Sequence, residues 1–401
     1  MSKEVDKMYL KWENELIGNI NIETNEVEIF NTNLNPTIKN LFQGKTFLTS
    51  YEWRSFLEDR IVSRGRRDIE KILFRCGISQ YDPVKIAKFT RAINVKDKCW
   101  ISFDLQEKYE DIVNKSLGTI LLRNQNIEGD SINSPNGQHI KSYGVYNGKF
   151  GIYKKRLHPL STDVESEVAV FLLALKMNIP CCPAFKVDKD TIFSEFLYDF
   201  NKESLVHFRN LFLDGQRGEN EVENFLEVRP QYETELFQML VLDFITHQDD
   251  RHLSNYGIKI SGDNESFYPL YDNGNSLFFE DDEELVKLKC DDPIMHCCSF
   301  GPVGTQWDAL NHLIERNPEL INSVNLNISC EEIEEILNKA QITGYRYDGA
   351  KTWIQKSILT IKESFLIKET LENKMETAST QTSKSLPLST KPKKEKTELE
   401  R

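Results

Sequence analysis

His247-Gln248-Asp249-Asp250-Arg251-His252-Leu253-Ser254-Asn255, with Asp272-Asn273-Gly274 further on, is the stretch that decides how this chain is read. Ahead of it, Tyr232 to Thr246 places Leu236, Phe237, Leu240, Val241, Phe244 and Ile245 on one broad helical stripe. Behind it, Tyr256 to Ile260 alternates as a strand, Gly262-Asp263-Asn264 is a turn cluster, and Phe267 to Tyr271 returns. An antiparallel pair about that turn sets Asn255 opposite Asp272, about 5 Å apart by Cα. An amide oxygen and a carboxylate so placed suit a hard cation such as Mg²⁺. Gly274 is expected to let the chain turn sharply beside them.

Asp250 and Asn255 have the spacing at which protein kinases hold the catalytic-loop aspartate and the metal-binding asparagine. Phosphoryl transfer explains those residue types. A carboxylate orients the acceptor hydroxyl and takes its proton, and oxygen ligands hold the metal. The upstream chain should then supply a lysine for ATP. Ser142 to Tyr146 and Lys149 to Lys155 are extended runs joined by Asn147-Gly148, a strong hairpin signal. Alternation puts Phe150, Ile152 and Lys154 on one face, so Lys154 rather than Lys155 is the candidate for a buried charge. Thr162 and Glu165 have capping-box spacing at the head of an apolar helix running to about Met177. Glu165 is assigned to the cap and Glu167 to the ion pair with Lys154. Ser134 to Lys141 precedes the hairpin as a phosphate-covering loop, with Gly137 for close backbone approach and Lys141 for charge. Ser131 and Ser134 beside it are candidate self-phosphorylation sites.

The 401 residues suggest two or three units. Residues 1–115 read as a mixed α/β accessory unit with no evident chemistry, 116–200 as a sheet with one helix, 201–375 as helical, and 376–401 as a disordered tail. Thr49 with Glu52, Asp82 with Pro83, and Ser329 with Glu332 mark helix starts. Fifty Lys+Arg against 63 Asp+Glu give a net charge of −13, which argues against direct nucleic-acid binding. The longest apolar run, Val168 to Leu175, is far short of the roughly twenty residues a membrane span needs. Met1 to Glu15 has no apolar signal core, so a cytoplasmic location is expected. The eight cysteines include no C-x-x-C pair and are expected as free thiols.

Asp250-Arg251-His252-Leu253-Ser254-Asn255-Tyr256-Gly257 and Asp272-Asn273-Gly274-Asn275-Ser276-Leu277 resemble the HipA-like kinase family, in the bacterial branch with D-R-H-x-x-N-[FY]-G followed by D-N-G-x-S-L. The stretch from Asn136-Gly137 through Lys141 to Lys154 resembles that branch's nucleotide loop and lysine strand. The resemblance covers about residues 130–280. It implies an α+β, bilobal protein-kinase-like fold, with a β-rich N-lobe and a helical C-lobe. It also implies ATP and Mg²⁺ as cofactors. Asp250 would be the catalytic aspartate, Asn255 and Asp272 the magnesium ligands, and Lys154 the lysine on the α/β-phosphates. His252 would brace the loop. Glu195 and Leu197 would offer backbone groups to adenine from a hinge strand. The implied acceptor is a Ser/Thr hydroxyl of a protein, and the family's toxin–antitoxin association implies a regulatory or antitoxin partner.

Two other readings keep the same motifs: a lipid or small-molecule kinase, and a nucleotide-binding regulator with little turnover. A di-metal hydrolase of the H-x-H-x-D-H type is rejected, because Asp249 and Arg251 stand where it needs His and Asp.

Overall fold

The computed structural model describes residues 7–116, 140–211, 221–301 and 304–384. Residues up to Ser357 form one compact unit, and Ile358–Arg401 form a second. Gly137, Ser131 and Ser134 lie outside the described residues.

The chain opens with β1 (Met8–Trp12), β2 (Glu15–Ile20) and β3 (Val27–Ile29), then α1 (Pro36–Phe42), β4 (Phe47–Leu48), α2 (Ser50–Glu58), α3 (Ile69–Arg75), α4 (Pro83–Thr90), β5 (Cys99–Ser102) and α5 (Tyr109–Ser116). The strands form one antiparallel sheet in the order β4-β3-β2-β1-β5. Local chemistry starts the helices. Thr49 and Glu52 close a capping box on α2, and Asp82 caps the Val84 N–H ahead of α4, with Pro83 at its first position. Leu10, Ile17, Trp53 and Trp100 are buried in the core of this accessory unit.

Next come β6 (Lys141–Tyr146) and β7 (Lys149–Lys155), turning through Asn147 and Gly148 at φ 50° and 77°. Both positions are left-handed, which is why Asn-Gly stands there. Helix α6 (Asp163–Met177) and strands β8 (Ala184–Asp188) and β9 (Thr191–Glu195) complete a sheet of order β6-β7-β9-β8. The expected Thr162–Glu165 capping box is absent, because the Thr162 side chain makes no cap bond. Glu165 instead takes Arg156 at 2.7 Å and Lys186 at 2.7 Å, and two cations outcompete one hydroxyl.

The helical lobe holds β10 (Glu203–His207), α7 (Glu221–Val228), α8 (Glu233–Thr246), β11 (Gly257–Ser261), β12 (Asn264–Phe267), α9 (Glu283–Lys289), α10 (Pro293–His296), β13 (Ser299–Phe300), β14 (Gly304–Thr305), α11 (Gln306–Arg316), α12 (Cys330–Ala340) and α13 (Tyr345–Lys384). From Leu236 to Thr246, α8 is buried all round except at Gln238, so it is a central helix rather than a striped surface one. Helix α13 continues to Lys384, into the segment expected as a tail from 376.

The β11–β12 hairpin differs in register from expectation. Gly262 and Asp263 alone make the turn, with Ser261 paired to Asn264 and Ile258 to Phe267. Tyr268 N adds a bond to Gly257 O at 2.9 Å in the same register, and that register does not set Asn255 opposite Asp272. A separate loop brings Asp272 in, tied to the sheet lobe where Cys182 N donates to Leu270 O at 2.8 Å. The fold is thus α+β, as expected, with a sheet-rich lobe and a mostly helical lobe beside the accessory unit. The accessory unit bonds to both lobes: Arg66 Nη1 reaches Lys141 O, and Leu205 N donates to Lys96 O at 2.8 Å.

Candidate active site

Lys154 stands at the end of β7 with its ammonium buried, while Lys155 is exposed. Its Nζ donates to both Glu167 oxygens at 3.0 and 3.1 Å and to Asp272 Oδ1 at 2.9 Å. Burial alone would lower its pKa. Asp272 and Glu167 outweigh that and hold the pKa above the ordinary lysine value. Lys141, also buried, meets the other Asp272 oxygen at 3.0 Å. Gly274 serves close approach rather than a left-handed turn: a Cβ there would sit 3.2 Å from Glu167 Oε2 and 3.3 Å from Asp163 O. The left-handed residue is Asp272 itself, at φ 59°. A non-glycine residue held so costs on the order of 1 kcal/mol, a strain typical of functional positions.

Helix α8 ends at Thr246 with His247 left-handed, and the chain enters the loop. Arg251 organises that loop. Its side chain is buried, and it grips Asp243 of α8 through Nε at 2.9 Å and Nη2 at 2.8 Å. It also donates to Asn255 O at 3.0 Å, Tyr271 O at 2.9 Å and Asn273 Oδ1 at 2.7 Å. One guanidinium therefore ties α8, the loop and the Asp272 segment together. The sequence reading missed this pair. The signal was present, since a lone carboxylate in an apolar helix must find a partner.

Asp250 accepts from Asn275 Nδ2 at 3.3 Å and lies 3.8 Å from His252 Nε2. Burial raises its pKa; His252 opposes the shift and Asp272 adds to it. Its neighbour Asp249 is pushed up to about 6, by crowding from the surrounding protein and then by Asp250. His252 is exposed, and its Nδ1 accepts from Ser254 N at 3.2 Å, bracing the loop locally. Asn255 is buried, and its Nδ2 donates to Asp250 O at 2.7 Å. The amide oxygen is then the atom it can offer a ligand. Gln248 also escaped the sequence reading; it joins Asp250 N at 3.1 Å to Asp272 O at 3.2 Å.

One cavity of about 1120 Å³ brings together Lys141, Lys154, Glu195, Asp250, His252, Asn255 and Asp272. Leu197 does not line it, and its N–H donates to the Tyr268 hydroxyl at 2.8 Å. Glu195 lines it, but its N–H is spent on Pro183 O at 2.9 Å and its carboxylate on Lys149 at 2.6 Å. The N–H groups of these two residues are therefore already bonded within the protein. The accessory unit, read as bland, supplies Ser55, Asp59 and Lys96 to the cavity wall.

Among the described residues, no three His, Cys, Asp or Glu side chains cluster as a metal cage. Mg²⁺ at a phosphate site needs only one or two protein oxygens and completes its shell from phosphates and water. An amide oxygen from Asn255 and a carboxylate from Asp272 fit that requirement.

No family model matches the chain, and no curated protein matches it. Among solved structures it is similar to the Helicobacter pylori proinflammatory kinase CtkA, with 12% identity and TM-score 0.46, over 58% of this chain and 92% of that one. It is also similar to a chain from the Shewanella oneidensis MR-1 toxin–antitoxin complex of HipA, HipB and operator DNA, with 11% identity and TM-score 0.46, over 87% of this chain and 96% of that one. Among the described residues, no helix is long and apolar enough to cross a membrane.

Proposed function

We propose that this chain is a HipA-like, ATP-dependent phosphotransferase that moves the γ-phosphate of ATP to a Ser/Thr hydroxyl of a protein in the cytoplasm. The observation that carries the reading is Lys154. A buried ammonium held by Glu167 and Asp272 faces the same cavity as Asp250 and Asn255. A structural ion pair needs no second carboxylate and no cleft, whereas a site for metal-bound phosphates uses a carboxylate for the metal and a cleft for the nucleotide.

In this reading Lys154 and Lys141 present positive charge to the phosphates, and Glu167 fixes the direction of Lys154. Asn255 and Asp272 would hold Mg²⁺, which neutralises phosphate charge when bound. Asp250 accepts a hydrogen bond from the acceptor hydroxyl and takes its proton as the acceptor oxygen bonds to the γ-phosphorus and the bond from that phosphorus to the bridging oxygen breaks, releasing ADP. Asn275 and the loop fastened by Arg251 keep the Asp250 carboxylate aimed. A regulatory role of toxin–antitoxin type, with an antitoxin-like partner, belongs to the same proposal and rests on the motif resemblance. The test is incubation with γ-labelled ATP, Mg²⁺ and a cell extract. Label on protein seryl or threonyl groups that disappears with Asp250→Ala supports the reading. Label that persists in that variant rejects Asp250 as the base.

A further inference from the structure

We infer that the accessory unit builds the acceptor side of the cleft, and that this side recognises a Ser/Thr peptide segment carrying an acidic residue beside the hydroxyl. The inference rests on the phosphotransferase reading and adds the substrate class.

Strand β10 links the accessory unit to the loop that bears Asp250. Leu205 N donates to Lys96 O at 2.8 Å, His207 pairs with Gly257, and Arg209 N donates to Leu253 O at 3.0 Å. Asp59, Lys96, His207 and Arg209 all face the cavity. Asp59 and His207 are only 7% and 8% exposed, yet Asp59 Oδ2 and His207 Nδ1 have no hydrogen-bond partner. Buried polar atoms left open in this way cost free energy unless a ligand or water meets them.

The cations beside them are also underused. Lys96 Nζ reaches just the Asp59 carbonyl oxygen, at 3.1 Å, among the described residues. Arg209 meets Asp59 Oδ1 at a long 3.4 Å and the Ser55 hydroxyl at 3.1 Å. The neighbouring cations are already matched, Arg60 with Asp97 at 2.6 Å and Lys45 with Glu52 at 2.6 Å. Two cations against one carboxylate leave a positive balance, with His207 held neutral by burial and by Lys96. A peptide supplies what is missing: backbone N–H groups for Asp59 Oδ2, and an acidic side chain for Lys96 and Arg209. The His207 ring, 6.2 Å from that of Tyr271, joins this wall to the residue before Asp272.

The test uses the full chain, γ-labelled ATP and single-serine peptides flanked by Glu/Asp, by Ala, or by Lys/Arg. The acidic set is expected to be labelled about tenfold faster at subsaturating peptide. Lys96→Met and Arg209→Met should each raise KM for the acidic peptide about tenfold and move kcat much less. Lys96→Glu should shift preference toward the basic set. Binding of MgATP, read as a thermal shift, separates the failures. If the wild-type chain shows no MgATP shift, the phosphotransferase reading falls and this inference with it. A retained shift with equal labelling of the three sets, with preference for the basic set, with no peptide labelling, or with an acidic preference unchanged in the variants overturns the acceptor inference alone.

Discussion

The Lys154 ammonium and the Glu167 carboxylate, thirteen residues apart, meet at 3.0 Å between strand β7 and helix α6. Both are almost wholly buried, at 6% and 3% side-chain exposure. Removing one partner of such a pair costs about 3–5 kcal/mol, because the other charge is stranded. Asp272 as a second partner for Lys154 softens that cost. Glu167→Gln is therefore expected to lower stability by about 1–2 kcal/mol in urea titration. Lys154→Met should weaken MgATP binding by tenfold or more, about 1.4 kcal/mol, as read by calorimetry.

Asp250→Asn separates chemistry from binding. The amide keeps the shape and the Asn275 contact region but cannot take a proton. Phosphotransfer should fall about 10²–10⁴-fold, the usual range for a lost general base. MgATP affinity should stay within about twofold, since Lys154 and Asp272 are untouched. Rapid-quench assays and equilibrium binding on the same preparation give both numbers.

Arg251 is a positioning residue with five donor groups in use. Arg251→Lys keeps the charge but cannot span Asp243, Asn255, Tyr271 and Asn273 at once. Arg251→Met should destabilise the fold by about 3–5 kcal/mol, because Asp243 is then a buried unpaired carboxylate. The double variant Arg251→Met with Asp243→Leu should recover much of that loss in denaturant midpoint while phosphotransfer stays low. Recovery of full activity would show that the pair only packs.

Acid should affect turnover and stability in opposite directions. In the proposed mechanism the raised pKa of Asp250 means its carboxylate is protonated at a higher pH than an ordinary aspartate, so kcat/KM should drop on the acid limb. Asp249 is exposed at the surface, but crowding by the surrounding protein and by Asp250 sets its folded pKa, about 6, above its ordinary 3.8. The folded state then binds its proton more tightly than the unfolded chain. Stability falls as pH rises from about 4 to about 6, and the penalty is complete above that window. Asp249→Asn should thus stabilise the protein at pH 8 by about 1–2 kcal/mol, after discount for its partial exposure, and by almost nothing at pH 4. Melting scans at the two pH values check the sign.

Much of the site was legible because its chemistry is local in sequence. Asp250 and Asn255 share one loop, and Asn255 Nδ2 on Asp250 O is a contact within it. Alternation chose Lys154 over Lys155 because a strand has only two faces. Assigning Glu165 to the cap leaves Glu167 for Lys154, but that reason does not hold: Glu165 is held by Arg156 and Lys186. The register of β11–β12 was not legible. A two-residue and a three-residue turn fit Gly262-Asp263-Asn264 equally well, and a small shift in the centre of the turn moves every pairing. Least legible was the accessory wall. Asp59 and Lys96 lie far from the motifs in sequence, and only tertiary packing of β10 brings them to the cleft.

The most direct test is calorimetric titration of ATP, with Mg²⁺ and with EDTA, into the wild-type chain and Asp272→Asn. The wild type should bind ATP at least tenfold more tightly with Mg²⁺, and the variant should lose that difference. Equal binding with and without metal in the wild type, or an undiminished metal effect in Asp272→Asn, would contradict the assignment of this cleft.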